Sequence, residues 1–140
     1  MRRLIICVFM LSGTVAQAQT SGPQTVTYEA VTATSPVGIS RLRVTPLDTS
    51  AYAVDFSIVA PNQTQHTGRI RGLATRDGDR LTLRVPIFRE DGILDSPSLC
   101  TMVINTNEAQ ANVITEDRCA GFSGAAASFV EQGQKLMRVR

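Results

Sequence analysis

The sequence predicts an all-β fold, a small antiparallel β-barrel of about eight strands, with a β-sandwich as the alternative. Short segments in which apolar and polar residues alternate recur along the chain, and turn-forming residues separate them at regular spacing. The only helix signal is the alanine content of "AGFSGAAAS", and Gly121 and Gly124 weaken it. Barrel and sandwich require the same alternation, so both remain open here and the barrel is favoured.

Residues 1–18 have the form of a secretory signal peptide. Arg2 and Arg3 precede an apolar run, and the segment ends in Ala16-Gln17-Ala18, which places small residues at the expected cleavage site. The run is shorter than the roughly 20 residues that a membrane-spanning helix needs. We therefore expect a periplasmic or secreted protein with no membrane span after cleavage, consisting of one all-β domain over residues 19–140.

The charge of the chain supports no general attraction to nucleic acid. The sequence holds 14 Lys and Arg against 12 Asp and Glu, and the small excess comes from Arg2 and Arg3 of the leader. Aromatic residues make up only 5% of the chain and include no Trp, which disfavours a surface for stacking bases. No nucleic-acid partner is expected.

The strand predictions follow the alternation in order along the chain. The clearest segment is "AYAVDFSIV", residues 51–59, in which Tyr52, Val54, Phe56 and Ile58 share one face. "RLTLRVPIF", residues 80–88, shows the same pattern, with Leu81, Leu83, Val85 and Ile87 on one face. Weaker alternation predicts further strands at residues 25–32, 40–45, 99–104, 110–115, 127–131 and 135–139.

Asp77 and Gly78 predict a tight hairpin turn between two alternating runs, because both residue types accept the positive φ of a type I′ turn. With these two residues as the loop, Arg76 faces Asp79 and Arg71 faces Arg84. One face of the hairpin is then apolar, including Ile70, Leu83 and Val85. Four arginines share the other face: Arg69, Arg71, Arg80 and Arg84.

These arginines have two interpretations. Opposed like charges destabilise a sheet, by at most about 1 kcal/mol per pair, so the arrangement requires a physical reason. In the first interpretation the side chains extend into solvent, pair with acids on neighbouring strands and discourage edge-to-edge association. In the second they form a binding face for an anionic ligand or a protein partner in the cell envelope, since guanidinium groups bind carboxylate and phosphate well.

Cys100 and Cys119 are the two cysteines outside the leader, and in an exported protein they predict one disulfide. The turn at residues 105–108 places Cys100 opposite about Val113. The disulfide is therefore not expected between paired strand positions, and we predict that it holds the loop containing "TEDRC" against the end of a strand. No metal site is predicted, because neither C-x-x-C nor a histidine cluster is present.

Two residues suggest catalysis only weakly. His66 is the single histidine, and Ser123 lies in "GFSGA", which resembles a serine-nucleophile turn but has Ala125 where the last glycine belongs. The strand-to-helix context that such a turn requires is not predicted either. We therefore expect a protein that is not an enzyme and needs no cofactor.

Residues 66–140 resemble a loose group of small exported proteobacterial β-proteins. The similarity lies in "HTGRIRGLATRDGDRLTLRV", "LCTMVI" and "ANVITEDRCAGFSGAAASF". Their architecture is similar to that of the eight-stranded barrels of periplasmic lysozyme inhibitors, which implies a non-catalytic binding or inhibitor-like role. The alternative is a structural or stress-related envelope protein. A small hydrolase and a barrel that binds an apolar ligand are less favoured.

Overall fold

The computed structural model of the protein describes residues 22–32, 35–88 and 91–140, without the side chains of residues 95–97. The expected signal peptide, residues 1–18, lies outside the described residues. The described residues form eight strands and one short α-helix: β1 Val26–Val31, β2 Ile39–Pro46, β3 Ala51–Val59, β4 Thr67–Asp77, β5 Arg80–Phe88, β6 Leu94–Thr106, β7 Gln110–Asp117, α1 Phe129–Gln132 and β8 Leu136–Val139. A 3-10 turn at Ala120–Phe122 precedes the helix.

The strands form a closed antiparallel barrel in which each strand pairs with its neighbours in the sequence. β8 completes the barrel by pairing with β1 on one side and with β7 on the other. The predicted all-β barrel is confirmed, and the β-sandwich alternative is wrong, because a sandwich would leave two separate sheets. This sequential order places β2, β3, β4 and β5 side by side, which decides which outward-facing residues are neighbours.

The alternation along each strand divides an apolar interior from a polar exterior. In β3, Val54, Phe56 and Ile58 are buried, as the sequence predicts, whereas Asp55 and Ser57 are only partly buried and face outward. Side chains of this kind fill the barrel, and the largest fully buried ones are Phe56, Phe129, Leu42, Ile58, Ile70, Leu81, Leu83, Met102, Ile104 and Leu136. An eight-stranded barrel is just wide enough for its own side chains to occupy the interior.

The β4–β5 hairpin has a different register from the predicted one. Asp77 pairs with Arg80, so the two-residue loop is Gly78-Asp79 rather than Asp77-Gly78. Gly78 has a φ of 56° and Asp79 does not have a positive φ, which is the pattern of a type II′ turn with glycine at the first loop position. The register differs by two residues, an even number, so every side chain keeps the predicted face. The predicted opposition of Arg71 and Arg84 is wrong.

The β6–β7 hairpin also turns later than predicted, because Thr106 pairs with Ala111 and a bulge follows Val103. The last pair of this ladder joins Thr101 to Asp117. Cys119 lies two residues beyond that pair and forms a disulfide with Cys100, with their Cα atoms 4.7 Å apart. The predicted disulfide is confirmed, and it does not join paired strand positions. The predicted loop is wrong for most of its length, because residues 115–117 form the end of β7 and Cys100 lies within β6. The disulfide fastens the residues that follow β7 to the middle of β6. Its closed loop restricts the unfolded chain and contributes about 3 kcal/mol to stability.

Residues 119–134, here called the cap segment, cover one end of the barrel. The strand predicted at residues 127–131 is wrong, because Phe129–Gln132 form the helical turn α1. Ser128 caps this helix, with its Oγ accepting a hydrogen bond from the Glu131 N–H at 3.2 Å. The fully buried Phe129 ring packs inside the barrel end with its centroid 5.4 Å from that of Phe56. A short helix thus supplies an interior residue where the sequence suggested a strand.

Within the described part of the chain, no helix is long and apolar enough to cross a membrane.

Candidate functional site

All four predicted arginines lie on the outside of the barrel, and the structure brings three of them together. Arg69 and Arg71 are outward-facing positions of β4, and Arg84 is opposite Leu73 on β5, diagonal to Arg71. Arg80 faces the same side but lies beside the β4–β5 turn, opposite Asp77. At about 3.3 Å per residue, the four residue steps from Arg80 to Arg84 separate their backbone positions by about 13 Å.

Two further arginines belong to the same surface, and the sequence analysis missed them. Arg41 and Arg43 are exposed, outward-facing positions of β2. In the β2–β3 register they lie opposite Ser57 and Asp55, and in the β3–β4 register those residues lie opposite Arg69 and Arg71. The alternation of "ISRLRVT" predicts that both arginines face outward. Their nearness to β4 depends on the strand order, which the closed barrel provides. We call Arg41, Arg43, Arg69, Arg71 and Arg84 the arginine face.

Asp55 on β3 is the central carboxylate of the arginine face. Its two oxygens accept hydrogen bonds from Nε and Nη2 of Arg69, at 3.1 and 2.8 Å. Oδ2 is also 3.1 Å from Nε of Arg71. One carboxylate therefore holds two guanidinium groups, and this part of the surface agrees with the first interpretation, in which arginines pair with acids on neighbouring strands.

Glu29 on β1 holds a third guanidinium, that of Arg41. Arg43 and Arg84, by contrast, form no ion pair or side-chain hydrogen bond with another residue that the structure describes. Arg43 is opposite Asp55 in the register, but both oxygens of that carboxylate already bind Arg69 and Arg71. The arginine face thus carries five positive charges against the two carboxylates within it, and two of its guanidinium groups remain available.

A shallow depression of about 480 Å³ lies between the available and the paired arginines. Ala53 forms part of its lining between Thr45 and Leu73, and Arg43, Asp55 and Arg71 also line it. The small Ala53 side chain leaves space between the longer residues of β2 and β4. An anion in this depression would meet Arg43 and Arg71 from opposite sides. Guanidinium groups bind carboxylate or phosphate by parallel, charge-assisted hydrogen bonds.

The arginines are exposed, and exposure sets the strength of these interactions. The side chains of Arg41, Arg69 and Arg71 are 54%, 55% and 61% exposed. Ion pairs with this exposure contribute about 1 kcal/mol or less, and dissolved salt screens them. Asp55 and Glu29 therefore hold their arginines loosely, and a polyanion that contacts several guanidinium groups at once is able to compete for them.

The structure places His66 and Ser123 near each other without forming a catalytic pair. The His66 ring lies against Gly124, where an added Cβ would come within 2.7 Å of Nδ1. Ser123 pairs with Gly68 at the edge of β4. Within residues 22–32, 35–88 and 91–140, no hydrogen bond joins the side chains of His66 and Ser123, and no cluster of His, Cys, Asp or Glu is arranged to hold a metal ion. The contacts of His66 and Ser123 are packing contacts between the cap segment and the start of β4.

The chain was compared with protein-family models, with curated proteins and with solved structures, and none of the three comparisons found a match. The similarity to small exported proteobacterial proteins and to periplasmic lysozyme inhibitors stays a prediction from the sequence.

Proposed function

We propose that the protein is an exported, non-catalytic binding protein that captures an anionic partner through the arginine face. The partner carries several carboxylate or phosphate groups, either as a protein of the cell envelope or as a smaller anionic ligand. The observation that supports this proposal is the availability of Arg43 and Arg84 on a surface where two carboxylates already hold the other three arginines.

Arg43 and Arg71 lie on the two strands that flank β3, and their defined spacing supports the binding proposal. Hydrogen-bonded strands lie about 4.8 Å apart, so β2 and β4 hold Arg43 and Arg71 about 10 Å apart on either side of Asp55. Their backbone positions are fixed by the barrel, and binding needs to order only the side chains. Ordering each arginine side chain costs about 0.5–1.5 kcal/mol on association, but no rearrangement of the backbone adds to this cost.

The proposed location outside the cytoplasm has separate support. The Cys100–Cys119 disulfide forms and persists most readily in an oxidising compartment such as the periplasm. The signal-like residues 1–18 lead to the same expectation. An exported binding protein meets anionic polymers and anionic proteins of the envelope, which are the class of partner that the arginine face fits.

A binding assay with two defined polyanions tests the proposal. Fluorescein-labelled inorganic polyphosphate and polyglutamate are titrated with the protein, and anisotropy is recorded in 20 mM and 300 mM NaCl. We expect binding to at least one polyanion, weakened at the higher salt concentration. The double variant R43S/R84S should bind at least tenfold more weakly, because it removes the two available guanidinium groups. Its thermal stability should equal or exceed that of the wild type.

The matched control is R118Q/K135Q, which removes the same number of charges from exposed residues away from the arginine face. It should bind the polyanions nearly as well as the wild type. Equal weakening in both double variants would show that only the net charge matters, and the arginine face would then have no specific role. Absence of binding by the wild type would also contradict the proposal and would favour a structural role in the envelope.

A further inference from the structure

A groove of about 1140 Å³ lies on the outside of the barrel, next to the arginine face. β1 forms its floor, and the two strands that pair with β1, namely β2 and β8, form its walls. Arg43 lines both this groove and the depression described above. We call it the β1 groove, and the residues that decide its chemistry are Thr27, Glu29, Arg41, Arg43, Met137 and Val139.

Alternation along β1 explains the shape of the β1 groove. Tyr28 is buried and faces the interior, so its neighbours Thr27 and Glu29 face outward. Threonine is shorter than the arginines of β2 and the methionine of β8, so the floor lies lower than the walls. Between Gln24 and Glu29, both of which line the groove, five residue steps of about 3.3 Å give a floor about 17 Å long.

The two walls of the β1 groove differ in chemistry. Arg43 lies opposite Thr27 on the floor, and Thr27 lies opposite Val139 on β8. The next outward row places Arg41 across the groove from Met137 in the same way. Met137 and Val139 are 54% and 46% exposed. In two successive rows, therefore, a guanidinium group on one wall faces an exposed apolar side chain on the other.

Two carboxylate side chains also line the β1 groove, and each lies next to an arginine. Glu29 is paired with Arg41. Glu108 lies beside β8, and its backbone carbonyl accepts a hydrogen bond from Nη1 of Arg138 at 3.4 Å. Arg43 forms no ion pair with another residue that the structure describes. Arg43 is therefore the guanidinium group that is most available to an acidic ligand in the groove.

An extended peptide in which acidic and apolar residues alternate matches both walls. Successive side chains of an extended chain point to opposite sides, and side chains on the same side recur after about 6.6 Å. Arg41 and Arg43 are two residues apart on one strand, so the same interval separates them. Carboxylates on one side of the peptide would meet these guanidinium groups while apolar side chains on the other side contact the β8 wall.

The apolar wall distinguishes such a peptide from other anions. Inorganic polyphosphate and acidic polysaccharides offer no apolar side chains to Met137 and Val139. An amphiphile with a single carboxylate would engage one guanidinium group only. Because the groove is open on the outside of the barrel, it would also leave one side of its acyl chain in water, which is unfavourable.

We infer that the β1 groove binds an extended segment of a protein partner in which Glu or Asp alternates with apolar residues. This inference rests on the proposed anion capture and specifies the chemistry of the partner. Arg43 binds a carboxylate of the segment by charge-assisted hydrogen bonds, and Met137 and Val139 contact its apolar side chains. Six extended residues span about 17 Å, which is the length of the floor.

Two labelled hexapeptides of identical composition and charge test the inference. Fluorescein-labelled EVEVEV has its Glu and Val side chains on opposite sides when it is extended, whereas EVVEEV has both types on each side. Each peptide is titrated with the protein in 20 mM NaCl, and anisotropy is recorded. We expect EVEVEV to bind at least tenfold more tightly than EVVEEV.

The variant M137T/V139T tests the apolar wall, and threonine is well suited to an outward strand position. It should bind EVEVEV at least fivefold more weakly than the wild type while its affinity for polyglutamate stays unchanged, which also shows that the barrel is folded. The matched control L47T/I114T changes two residues of similar exposure outside the groove, 55% and 44%, and should bind EVEVEV normally.

The outcomes separate the failure of this inference from the failure of the proposed function. If the wild type binds polyglutamate but binds both hexapeptides equally or not at all, the groove inference is wrong and anion capture stands. The same conclusion follows if M137T/V139T binds EVEVEV as the wild type does. If the wild type binds neither polyanion and neither hexapeptide, both proposals are wrong. A wild-type dimer in light scattering that M137T/V139T converts to a monomer would assign the groove to a second copy of the chain and overturn the inference.

Discussion

Asp55 lies directly opposite Arg71 in the β3–β4 register, and its carboxylate binds both Arg71 and Arg69. Asp55 therefore competes with any external anion for these two guanidinium groups. It is also only one strand away from Arg43, which lies opposite it on β2. The availability of both guanidinium groups on β4 therefore depends on this one residue.

Replacing Asp55 with Asn should strengthen polyanion binding severalfold, because the two guanidinium groups lose their internal partner. The free energy of unfolding should fall by about 1 kcal/mol or less, since the arginines of both ion pairs are more than half exposed. Polyphosphate titrations at low salt and urea unfolding measure the two effects. Asp117→Asn is the control, because it removes an equal charge next to Arg118 and away from the arginine face. Equal affinities for the two variants would contradict the competing role of Asp55.

A second prediction concerns the close approach of β4 and β5 next to the last pair of their ladder, Leu73 and Arg84. A Cβ added to Gly72 would lie 2.7 Å from Val85 Cγ2 and 3.1 Å from Leu83 Cδ1. Gly72→Ala should therefore lower the free energy of unfolding by about 1–3 kcal/mol, as overpacking does. Chemical denaturation measures the loss.

Val85→Ala provides the matched partner for this test, because it removes the side chain that the new Cβ would meet. The double variant G72A/V85A should lose less stability than the sum of the two single variants. Strict additivity would show that the two side chains do not compete for space, and the described packing between β4 and β5 would be contradicted.

A third prediction concerns alkaline pH. Burial raises the pKa of Tyr28 above its ordinary value, and its hydroxyl donates a hydrogen bond to the Asn107 carbonyl at 2.9 Å. Below pH 10, about the ordinary value for a tyrosine, the phenol is protonated in the folded and the unfolded chain. As the pH rises above this value the unfolded chain deprotonates first, so the folded state loses stability until the pH passes the folded pKa.

Tyr28→Phe should cost about 1 kcal/mol at pH 7 through the lost hydrogen bond, and it should reduce the additional loss of stability above pH 10. Urea unfolding at neutral and alkaline pH measures both effects. Tyr52→Phe is the control, because Tyr52 is only half buried and interacts with Arg76 through its ring face. Identical pH profiles for wild type and Tyr28→Phe would contradict the role of the buried phenol.

The alternation of side chains allowed the strands and their inward faces to be predicted, but not the pairing between strands. Asp77-Gly78 and Gly78-Asp79 both contain residues that a two-residue loop accepts, and the type of turn is decided only when the strands pair. The two choices shift the register by an even number of residues, so the outward position of Arg69, Arg71 and Arg84 was correct even though the predicted Arg71–Arg84 pair was wrong.

The remaining errors have similar physical causes. Arg41 and Arg43 were not assigned to the site, because their distance from β4 depends on β3 lying between them in the completed barrel. The segment at residues 127–131 was predicted as a strand, whereas tertiary packing favours a helical turn that buries Phe129 against Phe56. The apolar pattern of so short a segment fits both a strand and a helix, and the space available inside the barrel decides which of the two forms.

The backbone of the barrel wall fixes the spacing between the arginines of the arginine face. Two outward positions on one strand, such as Arg69 and Arg71, are about 6.6 Å apart along the backbone, and the next arginines are displaced by whole strand widths. If the arginine face binds anions as proposed, a polymer whose charged groups repeat at about this interval should bind more tightly than an equally charged polymer with a different repeat.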